Sequence, residues 1–420
     1  RGLAPVVIER ATEEAALGAQ GGRSINLALA ARGIAGLERA GVREEIEPLL
    51  LPMRGRQVHE GGAERFLPYG QRRGEEIYSV SRADLNGKLQ ALARERFGVE
   101  YRYGHVCTGL DLDAASALIE GPQGRYRLDA EMSFAADGAG SGVRRSLAEA
   151  GLVQAHEALL DHGYIELAIP EATGGGFALR PDALHIWPRG GFMLIALPNR
   201  DRTFTATLFL PLTGEKSFAS LSDGRLRELF EAEFPDALRL IPDAAGQFAS
   251  RPVGKLGTIH CRPWSFRNRL LLLGDAAHAI VPFHGQGMNA AFEDCATLDG
   301  LLAAYGPDWP ALVEEFERAR MANAKAIAEM AIENYLEMRD SVRSPDFELK
   351  RKIAFELERR FPERFVPRYQ MVMFHAEIPY AEAQRRGAVQ AEILAELAGG
   401  AKTLDEVDFA RAERLVEERL

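Results

Sequence analysis

The feature that most constrains this chain is an unbroken apolar run that ends in a glycine, a carboxylate and small residues. Leu270 to Leu273 is followed by Gly274-Asp275 and then by Ala-Ala-His-Ala. Such a run predicts a buried strand of a parallel sheet. The strand then delivers a carboxylate and a turn of small residues to a polar ligand. As a bare strand-end residue, Asp275 would instead cap a helix.

A glycine-containing segment, Pro282-Phe-His-Gly-Gln-Gly-Met-Asn289, follows this strand. Its two glycines, Gly285 and Gly287, place free backbone N–H groups at the start of a predicted helix. A helix terminus of this kind favours negative charge on a ligand. The simpler alternative for the glycines is a tight turn.

The other elements alternate between strands and helices, which predicts a parallel sheet. Residues 5–10 are typical of a buried parallel strand, and residues 99–103 and 127–136 of further strands. Residues 25–40 predict an amphipathic helix, and another helix is expected to start at Ser81.

Between about residues 151 and 257 the pattern changes to short alternating strands broken by Gly and Pro, which indicates an antiparallel sheet. Beyond residue 310 the pattern is helical. We therefore expect an α/β fold in which a Rossmann-like domain is interleaved with an antiparallel β-sheet substrate domain, followed by a C-terminal helical region. The expected boundaries are 1–50, 76–150 and 258–320 for the first domain, 51–75 and 151–257 for the second, and 321–420 for the helical region.

Composition narrows the function classes. The net charge of −10 and the absence of a clustered Lys/Arg tract argue against nucleic acid and anionic membranes as partners. No stretch approaches the ~20 apolar residues that cross a bilayer. Cys107, Cys261 and Cys295 are far apart and form no CxxC pair, so we expect reduced thiols in a cytoplasmic protein and no metal site.

Glu9 ends the first predicted strand, where dinucleotide-binding folds place an acid that accepts hydrogen bonds from ribose hydroxyls. The usual partner, a G-x-G-x-x-G turn, would lie roughly 20 residues upstream and so before Arg1. Gly138-Ala-Gly140-Ser-Gly has the wrong spacing to replace it. Taken alone, Glu9 is better explained as a solvated residue at the end of a strand.

Together these segments resemble the flavoprotein aromatic hydroxylases. Gly274-Asp275 corresponds to their GD motif, and Asp137-Gly138, which follows a predicted strand, corresponds to their DG motif. The resemblance implies that Asp275 hydrogen-bonds the ribityl chain of FAD and that the DG segment shares in FAD and NADPH binding. A simple Asp-Gly turn is the alternative for the second motif, with the following Arg144-Arg145 merely solvated.

Further segments narrow the resemblance to the kynurenine 3-monooxygenase family, over nearly the whole chain up to about residue 385. They are Gly22-Arg-Ser-Ile-Asn-Leu-Ala28, Pro52-Met-Arg-Gly-Arg56, Pro68-Tyr-Gly70, Ser79-Val-Ser-Arg82, His185-Ile-Trp-Pro188, Asn334-Tyr-Leu-Glu-Met-Arg339 and Pro367-Arg-Tyr-Gln-Met371. The family's substrate carboxylate is held by residues that fall here on Arg56, Tyr69, Asn334 and Tyr369. A guanidinium grips a carboxylate bidentately, and phenol or amide groups complete its shell. Each residue taken singly would be read as structural.

The resemblance also implies a set of residues that contact the cofactor. These are Glu9, Arg10, Ala28, Arg82, Cys107, Asp137, Asp275, Gly287, Met288 and Asn289. Cys107 is equally explained as a core thiol. We interpret His278 as a packed neighbour of the GD turn, and the role of His284, which lies beside the expected flavin, stays open.

The activity that the resemblance implies is a hydroxylation in tryptophan degradation. NADPH reduces non-covalently bound FAD, O₂ gives a flavin C4a-hydroperoxide, and L-kynurenine becomes 3-hydroxy-L-kynurenine. No protein nucleophile or metal is required, because the cofactor does the chemistry and the site positions the ring. The alternatives are a hydroxylase of another aromatic acid and an inactive fragment that lacks the glycine-rich turn.

Overall fold

The chain folds into two compact units that are interleaved in sequence. The structure, a computed structural model, describes residues 2–17, 26–221, 223–339 and 344–420. Unit 1 comprises residues 1–50, 79–159 and 257–328, and unit 2 comprises residues 51–78, 160–256 and 329–420. Gly22 to Ile25, which begin one family-like segment, lie outside the described residues.

Strands and helices alternate along the chain. The strands are β1 Val6–Glu9, β2 Asn26–Leu29, β3 Leu51–Met53, β4 Gly55–Glu60, β5 Ala63–Pro68, β6 Ile77–Ser81, β7 Glu100–Tyr103, β8 Val106–Asp111, β9 Ser116–Gly121, β10 Gly124–Leu128, β11 Ser133–Ala135, β12 Gln154–Ile169, β13 Ala183–Pro188, β14 Met193–Pro198, β15 Phe204–Pro211, β16 Gly254–Arg262, β17 Ser265–Phe266 and β18 Leu270–Leu272. The helices are α1 Glu13–Ala16, α2 Ala31–Arg39, α3 Arg43–Ile46, α4 Arg82–Phe97, α5 Gly142–Glu149, α6 Asp223–Glu233, α7 Pro235–Leu238, α8 Ala244–Ala249, α9 Asp275–His278, α10 Gly287–Tyr305, α11 Trp309–Arg339, α12 Pro345–Arg360, α13 Arg368–Phe374, α14 Tyr380–Ala398 and α15 Phe409–Arg419.

Unit 1 contains the parallel strand pairs that the alternation predicts. β18 is fully buried and runs parallel to β11, with Leu270 opposite Ser133. β1 runs parallel to β7, which places Glu9 opposite Tyr103. The expectation that β1 is buried was wrong: Val6 is 37% exposed, because within the described residues the sheet of β1 has two strands.

Two element boundaries in unit 1 differ from the prediction. The helix expected over residues 25–40 begins at Ala31, and Asn26 to Leu29 form β2 instead. The strand expected over residues 127–136 is two strands, β10 and β11. The apolar residues of this segment are spaced three or four apart, which fits one face of a helix. The backbone of β2 is instead fixed by side chains that are distant in sequence, and local periodicity carries no information about such side chains.

Unit 2 contains the large sheet of the predicted substrate domain. Its order is β16-β12-β15-β14-β13-β4-β5. β12, β15, β14 and β13 are antiparallel neighbours, as expected, whereas β13 and β4 run parallel. Apolar residues of the sheet and of α6 and α7, among them Trp187, Phe204, Phe230 and Phe234, form one buried core.

The predicted C-terminal helical region is confirmed, and its described residues form the five α-helices α11 to α15. α12, α14 and α15 pack around a core of their own that includes Ile353, Leu357, Ile393 and Val416. From residue 329 onward, these helices belong to unit 2, together with its large sheet. Within the described residues no helix is both long and apolar enough to cross a membrane.

Candidate active site

The GD turn presents a free carboxylate at the end of a buried strand. Gly274 has a φ of 54°, in the left-handed region that glycine tolerates, and it turns the chain from β18 into α9. Asp275 then begins α9 with an exposed side chain. Among the described residues its carboxylate has no hydrogen-bond or ion-pair partner, so it is available to donors on a ligand.

The N-terminus of α10 lies beside this carboxylate. Gln286 is the N-cap of α10, but its side chain makes no capping hydrogen bond to the first N–H groups of the helix. A Cβ atom added at Gly287 would lie 3.9 Å from Oδ1 of Asp275. An acceptor and a positive helix end therefore face the same space, which suits a ligand with both hydroxyl donors and acceptor oxygens.

Asn289 uses its side chain to shape the backbone around this terminus. Its Oδ1 accepts from the N–H of Ala30 at 2.8 Å, and its Nδ2 donates to Ala28 O at 2.8 Å and to Gly285 O at 2.7 Å. These bonds hold the end of β2 extended, which explains why the predicted helix starts late. The side chain is committed to protein backbone, so a ligand would meet the backbone of Asn289 and the partly buried Met288.

The DG motif caps a helix and is joined to the GD turn. Oδ2 of Asp137 accepts from the N–H groups of Gly142 and Val143 at 2.8 and 3.3 Å, at the start of α5. Nη1 of Arg144 donates to the carbonyl oxygen of Ala276 at 2.7 Å. Arg144 therefore links the two motifs, a role that could not be predicted from the sequence, where a merely solvated Arg144 was the alternative.

The other predicted cofactor residues of unit 1 are Glu9, Arg10, Arg82 and Cys107, of which Cys107 lies beside the DG segment: a Cβ atom added at Gly142 would lie 3.7 Å from the carbonyl oxygen of Cys107. Oε1 of Glu9 accepts from the N–H of Ala11 at 2.8 Å. Arg10 and Arg82 are exposed, and Arg82 begins α4. Cys107 is partly buried on β8, and burial raises the pKa of its thiol, so it stays protonated.

His278 packs under the GD turn, as the sequence analysis expected. Its ring centroid lies 4.9 Å from that of Trp264, and its Nε2 lies 2.7 Å from Oδ2 of the buried Asp294. His284 is also buried, at 5% exposure, in the short 3-10 helix Pro282–His284. Within the described residues no group of three or more His, Cys, Asp or Glu side chains is arranged to hold a metal ion.

Three of the four predicted substrate residues meet in unit 2. The guanidinium carbon of Arg56 lies 4.7 Å from the ring centroid of Tyr369 and 5.8 Å from that of Tyr69. The two rings stack with centroids 5.6 Å apart. Nε of Arg56 and the hydroxyl of Tyr69 are buried without a hydrogen-bond partner among the described residues. Buried polar atoms without partners are costly, so a ligand that pairs them is favoured.

The protonation states of this cluster suit an anion. Burial alone would lower the pKa of Arg56, but Tyr369, Tyr69 and Glu337 outweigh it and raise the pKa. Burial raises the pKa of Tyr69 well above its ordinary value and raises that of Tyr369 too. The site therefore combines a fixed positive charge with two phenols that keep their protons.

Glu337 is the acidic partner that the sequence analysis did not assign. Its Oε1 lies 3.5 Å from Nη1 of Arg56. Asn334, the fourth predicted substrate residue, is buried one turn earlier on α11, and its Nδ2 lies 3.3 Å from Sδ of Met338. Residues three and four apart share a helix face, so Asn334 and Glu337 lie on the same side of α11. The pairing of Glu337 could be suspected only from its place in the Asn334 segment.

A second arginine adds positive charge near Arg56. Arg351 on α12 donates from Nη2 to Pro68 O at 2.7 Å, next to Tyr69 in sequence. Burial, together with Arg56 and Arg65, lowers the pKa of Arg351 to about 10, which still leaves it charged at neutral pH. Arg56 and Arg351 bring two positive charges near the single carboxylate of Glu337, so the cluster has an excess of positive charge. The carboxylate of a ligand would neutralise this excess.

Comparison with known proteins gives a consistent result. A family profile described as FAD binding domain matches residues 1–331. The chain is 42% identical over 424 residues to a kynurenine 3-monooxygenase of Myxococcus xanthus, covering 100% of this chain and 91% of that protein. It is 44% identical over 405 residues to the kynurenine 3-monooxygenase of Stenotrophomonas maltophilia, covering 96% and 88%.

Solved structures are similar in fold at low sequence identity. A 2-methyl-3-hydroxypyridine-5-carboxylic acid oxygenase matches with a TM-score of 0.64 and 19% identity, over 81% of this chain and 87% of that one. A p-nitrophenol 4-monooxygenase from Pseudomonas putida matches with a TM-score of 0.64 and 17% identity, over 85% and 88%. At this identity the likeness concerns the fold alone, and it confirms the α/β fold class.

Proposed function

Because this chain belongs to the kynurenine 3-monooxygenase family of FAD-dependent monooxygenases, we propose that it hydroxylates L-kynurenine to 3-hydroxy-L-kynurenine with NADPH and O₂. The observation that carries the substrate assignment is the cluster of Arg56, Tyr69, Tyr369 and Glu337 in unit 2. The cluster combines a buried cation with a partly exposed carboxylate. That combination is complementary to an α-amino acid.

Arg56 and the two tyrosines bind the carboxylate of the substrate. Nε of Arg56 and the hydroxyl of Tyr69, which have no hydrogen-bond partner in the part of the chain that the structure describes, are donors that a carboxylate oxygen can satisfy. Hydrogen bonds between charged partners are about twice as strong as neutral ones. Asn334 contributes an amide on the same face of α11 as Glu337. These four residues position the substrate and do not exchange protons with its ring.

Glu337 binds the α-ammonium group. An amino acid brings a positive and a negative charge a few ångströms apart, and the Nη1 to Oε1 distance of 3.5 Å presents the two complementary charges as neighbours. A simple aromatic acid has a carboxylate but no ammonium group, so it would leave Glu337 without a new partner. This difference favours kynurenine over the rival reading, a hydroxylase of another aromatic acid.

The residues of unit 1 fit FAD. The carboxylate of Asp275, exposed and without a partner among the described residues, suits the hydroxyl groups of a ribityl chain. The start of α10 at Gly287 and Met288 suits the polar edge of a flavin. Glu9 at the end of β1 suits the ribose hydroxyls, with Arg10, Ala28, Arg82, Cys107, Asp137 and Asn289 as the further proposed contacts. When bound non-covalently, FAD would supply the redox chemistry, which is reduction by NADPH and activation of O₂.

The protein's own contribution is then binding, orientation and exclusion of water. The ring of kynurenine is activated by its own amino group, so no acidic or basic residue has to activate it. Holding a substrate by two opposite charges at one end fixes the direction of its ring, and good orientation alone lowers a barrier substantially. Burial of Arg56 and Tyr69 keeps water from this end of the substrate.

We propose a cytoplasmic location. Cys107, Cys261 and Cys295 are all free thiols in the structure, and free thiols are typical of proteins that work in a reducing compartment.

The test is product analysis on the FAD-loaded full-length protein. We expect L-kynurenine to stimulate NADPH oxidation and to be converted to 3-hydroxykynurenine, measured by chromatography, with little peroxide release. A phenolic acid such as 4-hydroxybenzoate should give neither. Stimulation and hydroxylation with the phenolic acid, and none with L-kynurenine, would overturn the substrate assignment while leaving the FAD-dependent monooxygenase intact.

A further inference from the structure

A buried carboxylate in unit 1 holds both ends of the short helix that carries Asp275. Asp294 on α10 is fully buried. Its Oδ2 accepts from the N–H of Gly274 at 3.0 Å and from Nε2 of His278 at 2.7 Å. Gly274 is the N-cap of α9 and His278 is its last residue. One oxygen atom therefore spans the whole turn.

The other oxygen of Asp294 is bonded to a further helix, α11. Nε of Arg320 on α11 donates to Oδ1 of Asp294 at 2.7 Å. Arg320 also pairs with Glu293 at 2.5 Å, and Arg32 on α2 pairs with Glu293 at 2.9 Å. Two carboxylates thus balance two guanidinium groups, which makes the burial of Asp294, Arg320 and Arg32 tolerable, while Glu293 is partly exposed.

The charge state of Asp294 follows from these partners. Burial alone would raise the pKa of Asp294, but His278 and Arg320 outweigh it and hold the pKa below its usual value. The carboxylate is therefore ionised at neutral pH, and an ionised carboxylate accepts hydrogen bonds more strongly than a neutral acceptor.

The turn needs this support. α9 is a single turn of four residues, and Gly274 gives it no side-chain cap. A helix of one turn is not stable by itself, because its hydrogen bonds do not offset the cost of fixing its backbone. Asp275 is exposed and has no partner within the described residues, so its direction depends on the backbone of the turn. Asp294 fixes that backbone at both ends.

We propose that Asp294 is a positioning residue for the cofactor: through Gly274 and His278 it aims the carboxylate of Asp275 at the ribityl chain of FAD. This inference rests on the proposed cofactor role of Asp275. Asp294 itself is buried behind the turn and does not have to touch the cofactor. Arg320 holds Asp294 in place and is therefore also a positioning residue.

A double-mutant cycle on the FAD dissociation constant tests the proposal in the full-length protein. Asp275→Ala should raise the dissociation constant about threefold to tenfold, as expected for the loss of one hydrogen bond, and Asp294→Asn should raise it on the order of tenfold. If Asp294 acts by aiming Asp275, the Asp294→Asn variant has already lost the contribution of Asp275, so adding Asp275→Ala should cost no more than about a further twofold. Independent sites would instead multiply their full factors, to within about twofold.

The outcomes separate the two hypotheses. If Asp275→Ala leaves FAD binding unchanged, the proposed role of Asp275 is wrong, and this inference is overturned with it. If Asp275→Ala weakens binding by its full factor in both backgrounds, only the positioning role of Asp294 is overturned. Asp299→Asn is the matched control on α10, since Asp299 forms a half-exposed pair with Arg39, and it should change the dissociation constant by less than about twofold.

A second pair of variants applies if Asp294→Asn does not fold. His278→Leu removes the donor at the far end of α9, whereas His278→Gln keeps a donor where Nε2 stood. We expect His278→Leu to raise the FAD dissociation constant about fivefold, as the loss of one hydrogen bond does, and His278→Gln to restore it to within about twofold. Equal effects of the two variants would show that His278 acts by packing and would overturn the proposal.

Discussion

Nη1 of Arg56 lies 3.5 Å from Oε1 of Glu337, and the two side chains differ in accessibility, with 9% and 31% exposed. The carboxylate is the partner that a ligand reaches more easily. A ligand with a single negative charge would compete with Glu337 for Arg56. A zwitterion instead adds a partner to each member of the pair. The charges of the ligand, as well as its ring, therefore decide which aromatic compound is bound.

Glu337→Gln should discriminate between L-kynurenine and its analogue without the α-amino group. The variant keeps the shape of the side chain but loses the charge that pairs with the ammonium group. We expect the dissociation constant for L-kynurenine to rise on the order of tenfold, the effect of losing a hydrogen bond between charged groups at a partly exposed site. Binding of the analogue should change less than about threefold. The measurement is titration of the FAD-loaded protein, followed by the flavin absorbance.

Glu329→Gln is the control for this prediction. Glu329 lies on the same helix and is exposed, where its carboxylate accepts from Nε2 of Gln384 at 2.8 Å. Its loss should leave both dissociation constants unchanged. Equal weakening of L-kynurenine and the analogue by Glu337→Gln would show that Glu337 does not recognise the ammonium group.

Arg56→Met should abolish productive kynurenine binding while FAD stays bound, because it removes the charged partner of the substrate carboxylate. The loss should be about 2–5 kcal/mol for a desolvated pair. Tyr69→Phe and Tyr369→Phe each delete one hydrogen bond to a charged group and should cost less, about 1.5–3 kcal/mol. The assay is L-kynurenine-dependent NADPH oxidation with peroxide release measured in parallel. Turnover near the wild-type rate in Arg56→Met would contradict the kynurenine assignment.

Much of the fold could be predicted because its signals are local. The buried strand before Asp275, the helix from Gly287 and the helix from Ser81 each depend on residues within one element, and all three are present in the structure. Ser81 caps its helix by accepting from the N–H of Asp84, as a residue of its type at that place predicts.

The remaining features depend on contacts between distant residues. The predicted helix over residues 25–40 failed at its start because Asn289, 259 positions away from Ala30, bonds the backbone there. The pairing of Glu337 with Arg56 is equally invisible to periodicity or spacing. The family resemblance could therefore indicate Arg56 as a substrate-binding residue, but the sequence could not predict that Glu337 pairs with it.

Arg144→Met should weaken FAD retention, because it breaks the link between the DG segment and the GD turn. Nη1 of Arg144 donates to Ala276 O at 2.7 Å, and the loss of such a bond leaves a carbonyl of the cofactor turn without its charged partner. We expect an increase in the FAD dissociation constant of about fivefold, measured by titration of flavin-free protein.

Arg145→Met is the adjacent control for this prediction. The side chain of Arg145 is exposed and donates from Nη2 to Gly140 O at 3.3 Å, five residues away in the chain. It should change FAD binding by less than about twofold. If the two variants weaken FAD equally, the effect is a general loss of positive charge, and the link to Ala276 does not matter.

Two buried histidines in unit 2 form a pair that is stable only when neutral. Nε2 of His185 lies 2.8 Å from the carbonyl oxygen of Arg180, and its Nδ1 lies 2.8 Å from Nε2 of His59. A carbonyl can only accept, so Nε2 of His185 carries the proton and its Nδ1 accepts from His59. His59 stacks on Trp187 with centroids 4.1 Å apart.

Burial, and to a smaller extent the neighbouring His185, lowers the pKa of His59 to about 4. Asp236, whose Oδ2 lies 3.5 Å from Nδ1 of His59, opposes this shift. Burial likewise lowers the pKa of His185 to about 4. A histidine in the unfolded chain has its ordinary pKa of 6.5, so the unfolded state takes up these protons before the folded state does. As the pH falls from about 6.5 towards 4, the unfolded state is therefore favoured and the folded protein loses stability.

Between pH 7 and pH 5 the loss of folding stability should be about 2 kcal/mol for one histidine. The double variant His59→Gln with His185→Gln should therefore lose on the order of 2–4 kcal/mol less than the wild type over the same range, measured from urea unfolding followed by tryptophan fluorescence. Parallel pH dependences of the two proteins would show that the histidines do not titrate with depressed pKa values.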